Sequence, residues 1–293
     1  MQEQWTHIPI LAQEIADLLL LNPHGVYVDG TLGLGGHTKF FLSKLSPNAK
    51  IFGFDRDTQA LAMAQERVSD ERLTAVHASY TQAGKVLKEA AISGADGALF
   101  DLGLSSYQLD NPARGFSLLR DGPLDMRFDI TAELTAEKIV NEWGLAELER
   151  IFVEYGEERN FHSIAMAIMA KRREERIDTT FKLKNIVEQV VRGRGKIHPA
   201  TQIFQALRIA VNDELGAVEK VIDTLPDIIK PSGRAAVLTF HSLEDRLVKQ
   251  RFKELVSGGG WKLVNKHVIV PSYEEVRANS RSRSAKLRII ERI

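Results

Sequence analysis

The chain of 293 residues contains no cysteine. Without thiols, disulfide bonds, thiolate zinc sites and a cysteine nucleophile are excluded. The chain also lacks a surplus of either charge, because 39 Lys and Arg balance 39 Asp and Glu. This balance excludes a uniformly basic protein that coats nucleic acid and an acidic disordered tail. The hydrophobic fraction of 44% is ordinary for a globular protein, and the length fits one large domain or two smaller ones.

Long hydrophobic runs are missing as well. The most apolar early segment, 18–28, is interrupted by Asn22, Pro23, His24 and Gly25, so it is too short to cross a bilayer. The first residues, MQEQW, lack the basic stretch and apolar core of a signal peptide. We therefore expect a soluble cytoplasmic protein with no membrane partner. The eight histidines show no metal-ligand spacing, and we predict no metal site.

Two segments depart from the overall charge balance. Residues 171–198 contain nine Lys or Arg against four acids, and residues 277–292 contain six against Glu291 alone. A single run of this kind is often a solvated face. Two of them would form a phosphate-binding surface if the fold brought them together, which the sequence alone does not decide.

Strand and helix patterns alternate at the start of the chain. Strands are predicted at 26–29, 51–55, 73–77 and 97–101, with helices at 38–45 and 58–68, which favours a parallel sheet covered on both faces. Helical patterns then dominate at 146–155, 163–173, 183–191 and 203–221, before strands return at 235–240 and 286–290. We predict an α/β sheet formed by residues 1–109 and 217–293, interrupted by an inserted helical subdomain at 110–216 that recognises the substrate.

A glycine-rich loop follows the first predicted strand, from Asp29 to His37. Glycines let the backbone approach a ligand or adopt positive φ, and a carboxylate at Asp55 can accept both hydroxyls of a ribose. A dinucleotide requires G-x-G-x-x-G, but the last glycine position counted from Gly33 is Thr38. S-adenosylmethionine has a ribose and no pyrophosphate, and it fits the loop better. A purely structural turn is the alternative.

Asp101 ends the fourth predicted strand and is followed by Leu102-Gly103-Leu104. Amino-group methyltransferases carry an Asp/Asn-Pro-Pro-aromatic tetrad at this place, of which only the aspartate is kept. We interpret Asp101 as a catalytic candidate that lies at the cofactor and helps to hold an exocyclic amine. The alternative is a carboxylate that caps the next turn or helix.

Further motifs extend along the chain: YVDGTLG at 27–33, GGH at 35–37, DLG at 101–103, SS at 105–106, RGFS at 114–117, DGPLDMR at 121–127, YGEER at 155–159, HPAT at 198–201, FQALRIAVN at 204–212, FHSLEDR at 240–246 and RSAKLR at 283–288. With these motifs the chain resembles, from His7 onward, the MraW/RsmH family of bacterial 16S ribosomal RNA cytosine N4-methyltransferases. The resemblance implies a class I, Rossmann-like methyltransferase fold with an inserted helical domain. It also implies an enzyme that uses S-adenosyl-L-methionine to methylate N4 of one cytidine in the decoding centre of 16S rRNA, in the 30S subunit.

The resemblance also implies site residues. The cofactor-binding positions fall on Gly33, Gly35, Gly36, His37, Asp55, Asp101 and Gln108, and on Tyr80, where a phenylalanine is usual. The Asn-Pro-Arg usual near the C-terminus reads Asn279-Ser280-Arg281 here. Five further residues are candidates for substrate binding: His198, Arg208, Asn212, His241 and Arg246. For Arg208 and Asn212 a helix-packing network is an equal alternative, and Ser242 and Asp245 are candidates for capping a helix.

Other function classes remain open at this point. An amino-methyltransferase acting on DNA, on another RNA or on a small molecule would share the glycine loop and Asp101. A nicotinamide-dependent dehydrogenase is disfavoured by Thr38, and a non-catalytic RNA-binding module would not need both the loop and Asp55. The sequence leaves monomer and weak dimer equally open.

Overall fold

The computed structural model describes residues 9–191 and 198–293. His7, where the family resemblance begins, and three cations of the first basic segment, Arg192, Arg194 and Lys196, lie outside the described residues. The chain divides into two compact units. The sheet unit comprises Met1–Gly103 and Leu215–Ile293, and the helical unit comprises Leu104–Glu214.

Seven strands form one sheet in the order β3-β2-β1-β4-β5-β7-β6. The strands are β1 Val26–Asp29, β2 Lys50–Asp55, β3 Leu73–His77, β4 Ala95–Asp101, β5 Ile229–Thr239, β6 Trp261–Leu263 and β7 Lys286–Arg292. The first five strands run parallel, whereas β7 is antiparallel to β5 and β6 is antiparallel to β7. The predicted α/β fold with a mostly parallel, Rossmann-like sheet is confirmed.

Fourteen α-helices lie in the described part of the chain. They are α1 Ala12–Leu19, α2 Gly36–Leu42, α3 Thr58–Val68, α4 Ala83–Glu89, α5 Ser106–Asp110, α6 Ala136–Glu142, α7 Leu145–Glu154, α8 Phe161–Lys171, α9 Thr180–Val190, α10 Thr201–Asn212, α11 Glu214–Asp223, α12 Leu225–Ile228, α13 Ser242–Ser257 and α14 Tyr273–Ala278. Within these described residues, no helix combines the length and the apolar character needed to span a bilayer.

Both faces of the sheet are buried. Along β1 and β2, Val28 and Phe52 belong to one hydrophobic cluster, whereas their neighbours Tyr27 and Ile51 belong to another. Because successive side chains of a strand point to opposite faces, these two clusters cover the two sides of the sheet. The parallel strands therefore read as short apolar runs bounded by loop residues, which is why the sequence pattern locates them.

The helical unit has a core of its own, built on residues such as Leu148, Phe152, Ile168 and Leu207. The region 203–221, where a helical pattern was predicted, is occupied by two helices. α10 ends at Asn212, and Asp213 adopts a left-handed conformation with φ 50° before α11 begins at Glu214. Aspartate is one of the few residues that tolerate this conformation, so the break is not visible in the hydrophobic pattern.

The fifth strand also differs from the prediction. β5 begins at Ile229, six residues before the strand predicted at 235–240, and it includes Pro231-Ser232-Gly233. Ser232 has φ +65°, and the pairing with β4 shifts register between Ala95 and Gly97. The irregularity therefore lies inside a strand that continues on both sides of it.

Candidate active site

Three aspartates end three neighbouring strands. Asp29 ends β1, Asp55 ends β2 and Asp101 ends β4, and these strands are adjacent in the order β2-β1-β4. In the register of the sheet, Asp29 pairs with Gly53 on β2 and with Leu99 on β4. Asp55 and Asp101 therefore each lie two residues further toward the carboxyl end of their strands than Asp29 does. Since neighbouring strands lie about 4.8 Å apart, the outer two carboxylates flank the centre of this edge at a separation of roughly 10 Å between backbones.

The Asp55 side chain is held by two backbone amides. The N–H of Gly33 donates to Oδ2 at 2.8 Å, and the N–H of Asp57 donates to Oδ1 at 2.9 Å. Burial raises the pKa of Asp55 to about 6, against the opposing effect of these hydrogen bonds, and the charges of Asp57 and Asp29 raise it further. The carboxylate is thus fixed in position against the glycine loop.

Asp29 lies deepest, with 1% of its surface exposed. The hydroxyl of Thr38 donates to its Oδ2 at 2.6 Å, and the backbone N–H of Thr31 donates to Oδ1 at 3.2 Å. Burial raises the pKa of Asp29, although the hydrogen bond from Thr38 and the nearby His37 oppose the rise. Asp29 therefore ties the start of the loop to α2.

The glycine loop depends on backbone conformations that favour glycine. Gly33 has φ 51° and Gly35 has φ 77°, and Gly36 is the first residue of α2. A Cβ on Gly35 would lie 2.5 Å from Cγ2 of Val68, so the position is closed to larger residues for steric reasons as well. The loop is also anchored to β2, because the N–H of Leu32 donates to the carbonyl of Phe54 at 2.8 Å.

His37 and Asp101 face each other on this edge. Nε2 of His37 lies 3.3 Å from Oδ2 of Asp101, and the two side chains are 5% and 16% exposed. The two atoms are at ion-pair distance, but their geometry is not that of a hydrogen bond. Accordingly, Oδ1 of Asp101 and both ring nitrogens of His37 are buried and have no hydrogen-bond partner among the described residues. Such groups are costly to bury unless a ligand satisfies them.

Thr31 and Tyr80 complete the surroundings of the loop. The backbone N–H of Asp101 donates to the hydroxyl of Thr31 at 2.7 Å, which joins β4 to the loop. Tyr80 begins a short 3-10 turn after β3 and meets the ring of Phe100 edge-to-face at 5.6 Å. Gly30 makes room for this pair, since a Cβ there would lie 2.4 Å from Phe100.

Gln108 belongs to the helical unit and lies in α5. Its backbone N–H donates to the hydroxyl of Ser105 at 3.2 Å, and its side-chain oxygen accepts from the N–H of Ser105 at 3.1 Å. The two residues form a reciprocal capping box at the start of the helix. Gln108 is 5% exposed. The residue predicted from the sequence to contact the cofactor therefore has a buried side chain that also caps a helix.

Comparison with known proteins identifies relatives along the whole chain. The model of the MraW methylase family matches residues 4–293. The ribosomal RNA small subunit methyltransferase H of Elusimicrobium minutum is 58% identical over 290 residues, which is 99% of each chain. The protein of the same name from Desulfotalea psychrophila is 43% identical over 298 residues and covers 100% of both chains.

The chain belongs to the MraW methylase family. Solved structures align more distantly with this MraW-family chain. An rRNA methylase from Streptococcus thermophilus has a TM-score of 0.42 at 13% identity, and the alignment covers 96% of this chain and 93% of that one. The family and the two sequence relatives therefore carry the assignment.

The substrate-binding candidates in the helical unit have internal partners in this MraW-family chain. Arg208 forms two hydrogen bonds with Glu214, at 2.8 and 3.0 Å. Asn212 is 3% exposed; it accepts from the N–H of Phe128 at 2.7 Å and donates to the carbonyl of Met126 at 2.8 Å. These contacts are those of the helix-packing alternative, and the predicted contact with substrate stays a prediction.

His198 and His241 both stabilise helix starts. His198 contacts Glu188 at 2.8 Å, and its Nδ1 accepts from the N–H of Ala200 at 3.1 Å. His241 is the N-cap of α13, where its Nδ1 accepts from the N–H of Glu244 while Oε2 of Glu244 accepts from the N–H of His241. Arg246, the last candidate, is exposed on the same helix.

The predicted capping role of Ser242 is wrong by one residue, because the capping box is formed by His241 and Glu244. Asp245, the other predicted cap, instead binds Lys286 at 3.1 Å and Arg288 at 2.8 Å on β7. A histidine at the N-cap is unusual, since Ser, Thr, Asp and Asn are preferred there. That preference is why the sequence pointed to Ser242.

Sequence reasoning did not single out two residues that build the site. Asp29 and Thr31 both lie in the motif at 27–33, but the sequence assigned neither of them a role of its own. Their signal was the Asp-Gly-Thr string directly after a buried strand, because polar residues at a strand end often fix the following loop. The structure shows that Thr31 joins the loop to β4 and that Asp29 joins it to α2.

Proposed function

We propose that this chain transfers the methyl group of S-adenosylmethionine to N4 of one cytidine in the decoding centre of 16S rRNA, within the 30S subunit. The methyl donor and the small-subunit rRNA class of substrate follow from membership of a methylase family and from relatives named ribosomal RNA small subunit methyltransferase H. The particular cytidine and its N4 atom are the proposal. A ribosomal substrate would place the reaction in the cytoplasm.

One observation carries the assignment of the site. Asp55 and Asp101 end strands on either side of β1, and the glycine loop leaves the sheet between them. Ligands of open α/β sheets bind outside the carboxyl ends of the strands, near the point where the strand order reverses. In this sheet the order reverses between β1 and β4, which is where the loop lies.

The residues present fit S-adenosylmethionine. The ribose needs paired acceptors, and Asp55 offers a carboxylate that backbone amides hold in one orientation. The methionine part carries an amine and a carboxylate, and the buried ring nitrogens of His37, beside Asp101, need partners of that kind. Gly33, Gly35 and Gly36 would leave space for the ligand along the loop, and Tyr80 and Gln108 are proposed as further contacts.

Asp101 is proposed as the residue that handles the target amine. When bound, S-adenosylmethionine supplies an electrophilic methyl group. The lone pair of a cytosine amine is delocalised into the ring, so an acceptor must draw on an N–H before the nitrogen can act as a nucleophile. Oδ1 of Asp101 can accept that N–H, and its negative charge would stabilise the positive charge that develops on the nitrogen. Holding the amine in line supplies much of the remaining rate.

The helical unit is proposed to recognise the RNA around the target. A base must leave its stack before it can enter an active site, and unpaired regions of RNA allow this at the lowest cost. The unit has an independent core of helices, which suits a body that positions a folded RNA. We propose that His198, Arg208, Asn212, His241 and Arg246 contribute to substrate binding in addition to their structural contacts.

The test is transfer of labelled methyl groups to 30S subunits from cells that lack this enzyme, followed by nucleoside mass spectrometry. We expect one N4-methylcytidine per subunit, mapped to the decoding centre of 16S rRNA. Duplex DNA and 23S rRNA are the controls for the competing substrates. Methylation of DNA, of another RNA or of another atom of cytosine would overturn the proposal.

A further inference from the structure

Several cations of the two basic segments that the sequence singled out are engaged by other groups within the described residues. In the first, Lys171 contacts Glu174 and Glu175 at 3.0 Å each, and Lys182 contacts Asp178 at 2.8 Å. In the second, the described contacts engage three cations: Lys286 and Arg288 with Asp245, and Arg292 with the carbonyls of Pro226 and Ile229. Because Asp245 lies outside the second segment, a count of charges within that segment overstates the positive charge that it presents to a ligand.

The opposite holds for α13, which is nearly neutral in sequence. The helix contains three acidic and four basic residues: Glu244, Asp245, Glu254, Arg246, Lys249, Arg251 and Lys253. All three acids have partners. Glu244 is 1% exposed and accepts from the backbone, and Glu254 accepts from Arg251 at 2.7 Å. Burial of Asp245 favours a higher pKa, but the hydrogen bonds from Arg288 and Lys286 outweigh this effect and hold the pKa of Asp245 below its ordinary value.

The basic residues of α13 separate into two faces. Arg251 binds Asp223 and Glu254. Lys249 and Lys253 are exposed, and within the described parts of the chain no carboxylate lies at ion-pair distance from either of them. Because residues three, four and seven positions apart share one side of a helix, Arg246, Lys249 and Lys253 form a single row. The row spans about 10 Å at 1.5 Å per residue.

This row borders a shallow groove with a volume of about 360 Å³. Arg246, Lys249 and Lys253 line it together with Gln250 and Ser257, which add uncharged hydrogen-bonding groups, and with Glu254. The carboxylate of Glu254 is occupied by Arg251 and by the amide of Gln250. The face thus presents ammonium groups at successive turns, beside neutral polar groups. That is the chemistry that binds the phosphates of a nucleic-acid backbone.

The position of the row connects it to the candidate active site. α13 starts at Ser242, directly after β5 ends at Thr239, so its first turn lies at the carboxyl edge of the sheet. β5 is the parallel neighbour of β4, and Asp101 is level with Leu238. Arg246 therefore lies nearest to the edge that carries Asp101, and Lys249 and Lys253 lead away from it along the helix.

We propose that the row formed by Arg246, Lys249 and Lys253 binds consecutive phosphates of the rRNA strand that flanks the target nucleotide. The proposal rests on the proposed function, because it takes the substrate to be RNA. The row would anchor the strand while the target base is turned into the site. Its contribution is electrostatic and independent of sequence, so it should depend steeply on salt.

The test compares K249Q/K253Q with wild type in binding to unmethylated 30S subunits at several potassium chloride concentrations. Loss of two phosphate contacts should lower the slope of log affinity against log salt by about 1.4, since each contact to a single strand contributes roughly 0.7. The KM for 30S subunits should rise on the order of tenfold at physiological salt, while S-adenosylmethionine affinity and kcat stay unchanged. The matched control is K44Q/K50Q, which removes the same charge near the opposite, amino edge of the sheet.

The outcomes separate the two proposals. An unchanged salt slope and KM in K249Q/K253Q, with active wild type, would overturn the phosphate row and leave the proposed function intact. An equal effect in K44Q/K50Q would overturn it too, because the effect would then report net charge alone. If wild type transfers no methyl group to 30S subunits, the proposed function fails, and the binding curves still show whether the row binds RNA.

Discussion

The carboxylate of Asp55 accepts a hydrogen bond from the backbone N–H of Gly33 at 2.8 Å. The end of β2 and the turn of the glycine loop are thereby held together before any ligand arrives. Binding then requires little rearrangement of the carboxylate. This favours affinity, because the side chain has already lost its conformational entropy when the protein folds.

Cofactor affinity should fall in mild acid. Burial raises the pKa of Asp55 to about 6, so the carboxyl group is largely neutral at pH 5 and ionised at pH 7. Ribose hydroxyls donate more strongly to the ionised form, so we expect S-adenosylmethionine affinity to rise from pH 5 to pH 7 and then to level off. Calorimetric titration across this range is the measurement, and binding at pH 5.5 should release protons.

The control for this titration is Asp55→Asn. It should weaken binding by tenfold or more at pH 7, on the scale of a lost charge-assisted hydrogen bond of about 1.5 to 3 kcal/mol. Its affinity should no longer change between pH 5 and pH 7. If the variant keeps the full pH dependence of wild type, the titrating group is another residue.

Asp101→Asn should reduce turnover without reducing cofactor affinity to the same extent. The amide preserves the shape of the side chain but has no negative charge to stabilise a cationic nitrogen, and losses of this kind are on the order of a hundredfold or more in kcat. Single-turnover methyl transfer to 30S subunits measures the effect, and binding of S-adenosylmethionine by the same variant serves as the check on folding. Turnover near the wild-type rate would exclude the proposed role of Asp101.

Gly35→Ala should destabilise the sheet unit for two reasons that can be separated. The left-handed conformation costs about 1 to 2 kcal/mol for a residue with a Cβ, and the new methyl group would meet Val68. Gly259→Ala is the matched control, because Gly259 has φ +83° and no atom within 4 Å of an added Cβ. Chemical denaturation should show the larger loss for Gly35→Ala.

The steric part of that loss should be recoverable. Shortening Val68 to alanine in the Gly35→Ala background should restore part of the stability, whereas it should destabilise the wild-type chain. If the double variant is no more stable than Gly35→Ala alone, the clash with Val68 is not the cause.

Arg172 and Arg173 are adjacent and should behave differently. Arg172 donates to the carbonyls of Val140 at 3.0 Å and Trp143 at 2.7 Å, at the C-terminal end of α6. Its replacement by alanine should cost about 1 to 3 kcal/mol, since it leaves these carbonyls without their charged donor. Arg173 is exposed, and its replacement should change stability by less than about 0.5 kcal/mol.

Thermal unfolding of the two single variants measures this difference. The same pair also tests the predicted RNA contact of the first basic segment. If Arg173→Ala weakens binding to 30S subunits while stability stays unchanged, the segment contacts phosphate. If neither variant changes the salt slope, Arg172 and Arg173 do not contact phosphate.

Much of the fold could be predicted because the parallel strands are short apolar runs that end in polar residues. The predicted strand at 73–77 and the predicted helix at 58–68 coincide with β3 and α3. The break between α10 and α11 could not be predicted in the same way, because it depends on one left-handed aspartate and not on hydrophobic spacing. Similarly, β6 has only three residues and follows three glycines, so its sequence signal is weak.

The candidate site also contains features that the sequence predicts and features that it does not. The positions of Asp55 and Asp101 follow from the rule that ligands bind where parallel strands end, which the sequence pattern can supply. The cap formed by His241, the partners of Asp245 and the exposed Lys249 and Lys253 of α13 depend on which side chains meet across the fold. Charge counts along the chain missed α13 because its acids already have hydrogen-bond or ion-pair partners, which the sequence does not reveal.

The neighbours β4 and β5 pair at the middle of the sheet, yet all of the helical unit lies between them in the chain. During synthesis at roughly 5 to 20 residues per second, β4 would wait on the order of ten seconds for its partner strand to appear. Until then one edge of an apolar strand presents unpaired backbone groups that can recruit other chains. Growing chains of this protein thus pass through a stage at which aggregation competes with folding. If the helical unit folds early, the flexible segment between β4 and β5 becomes shorter, which lowers the entropic cost of pairing the two strands.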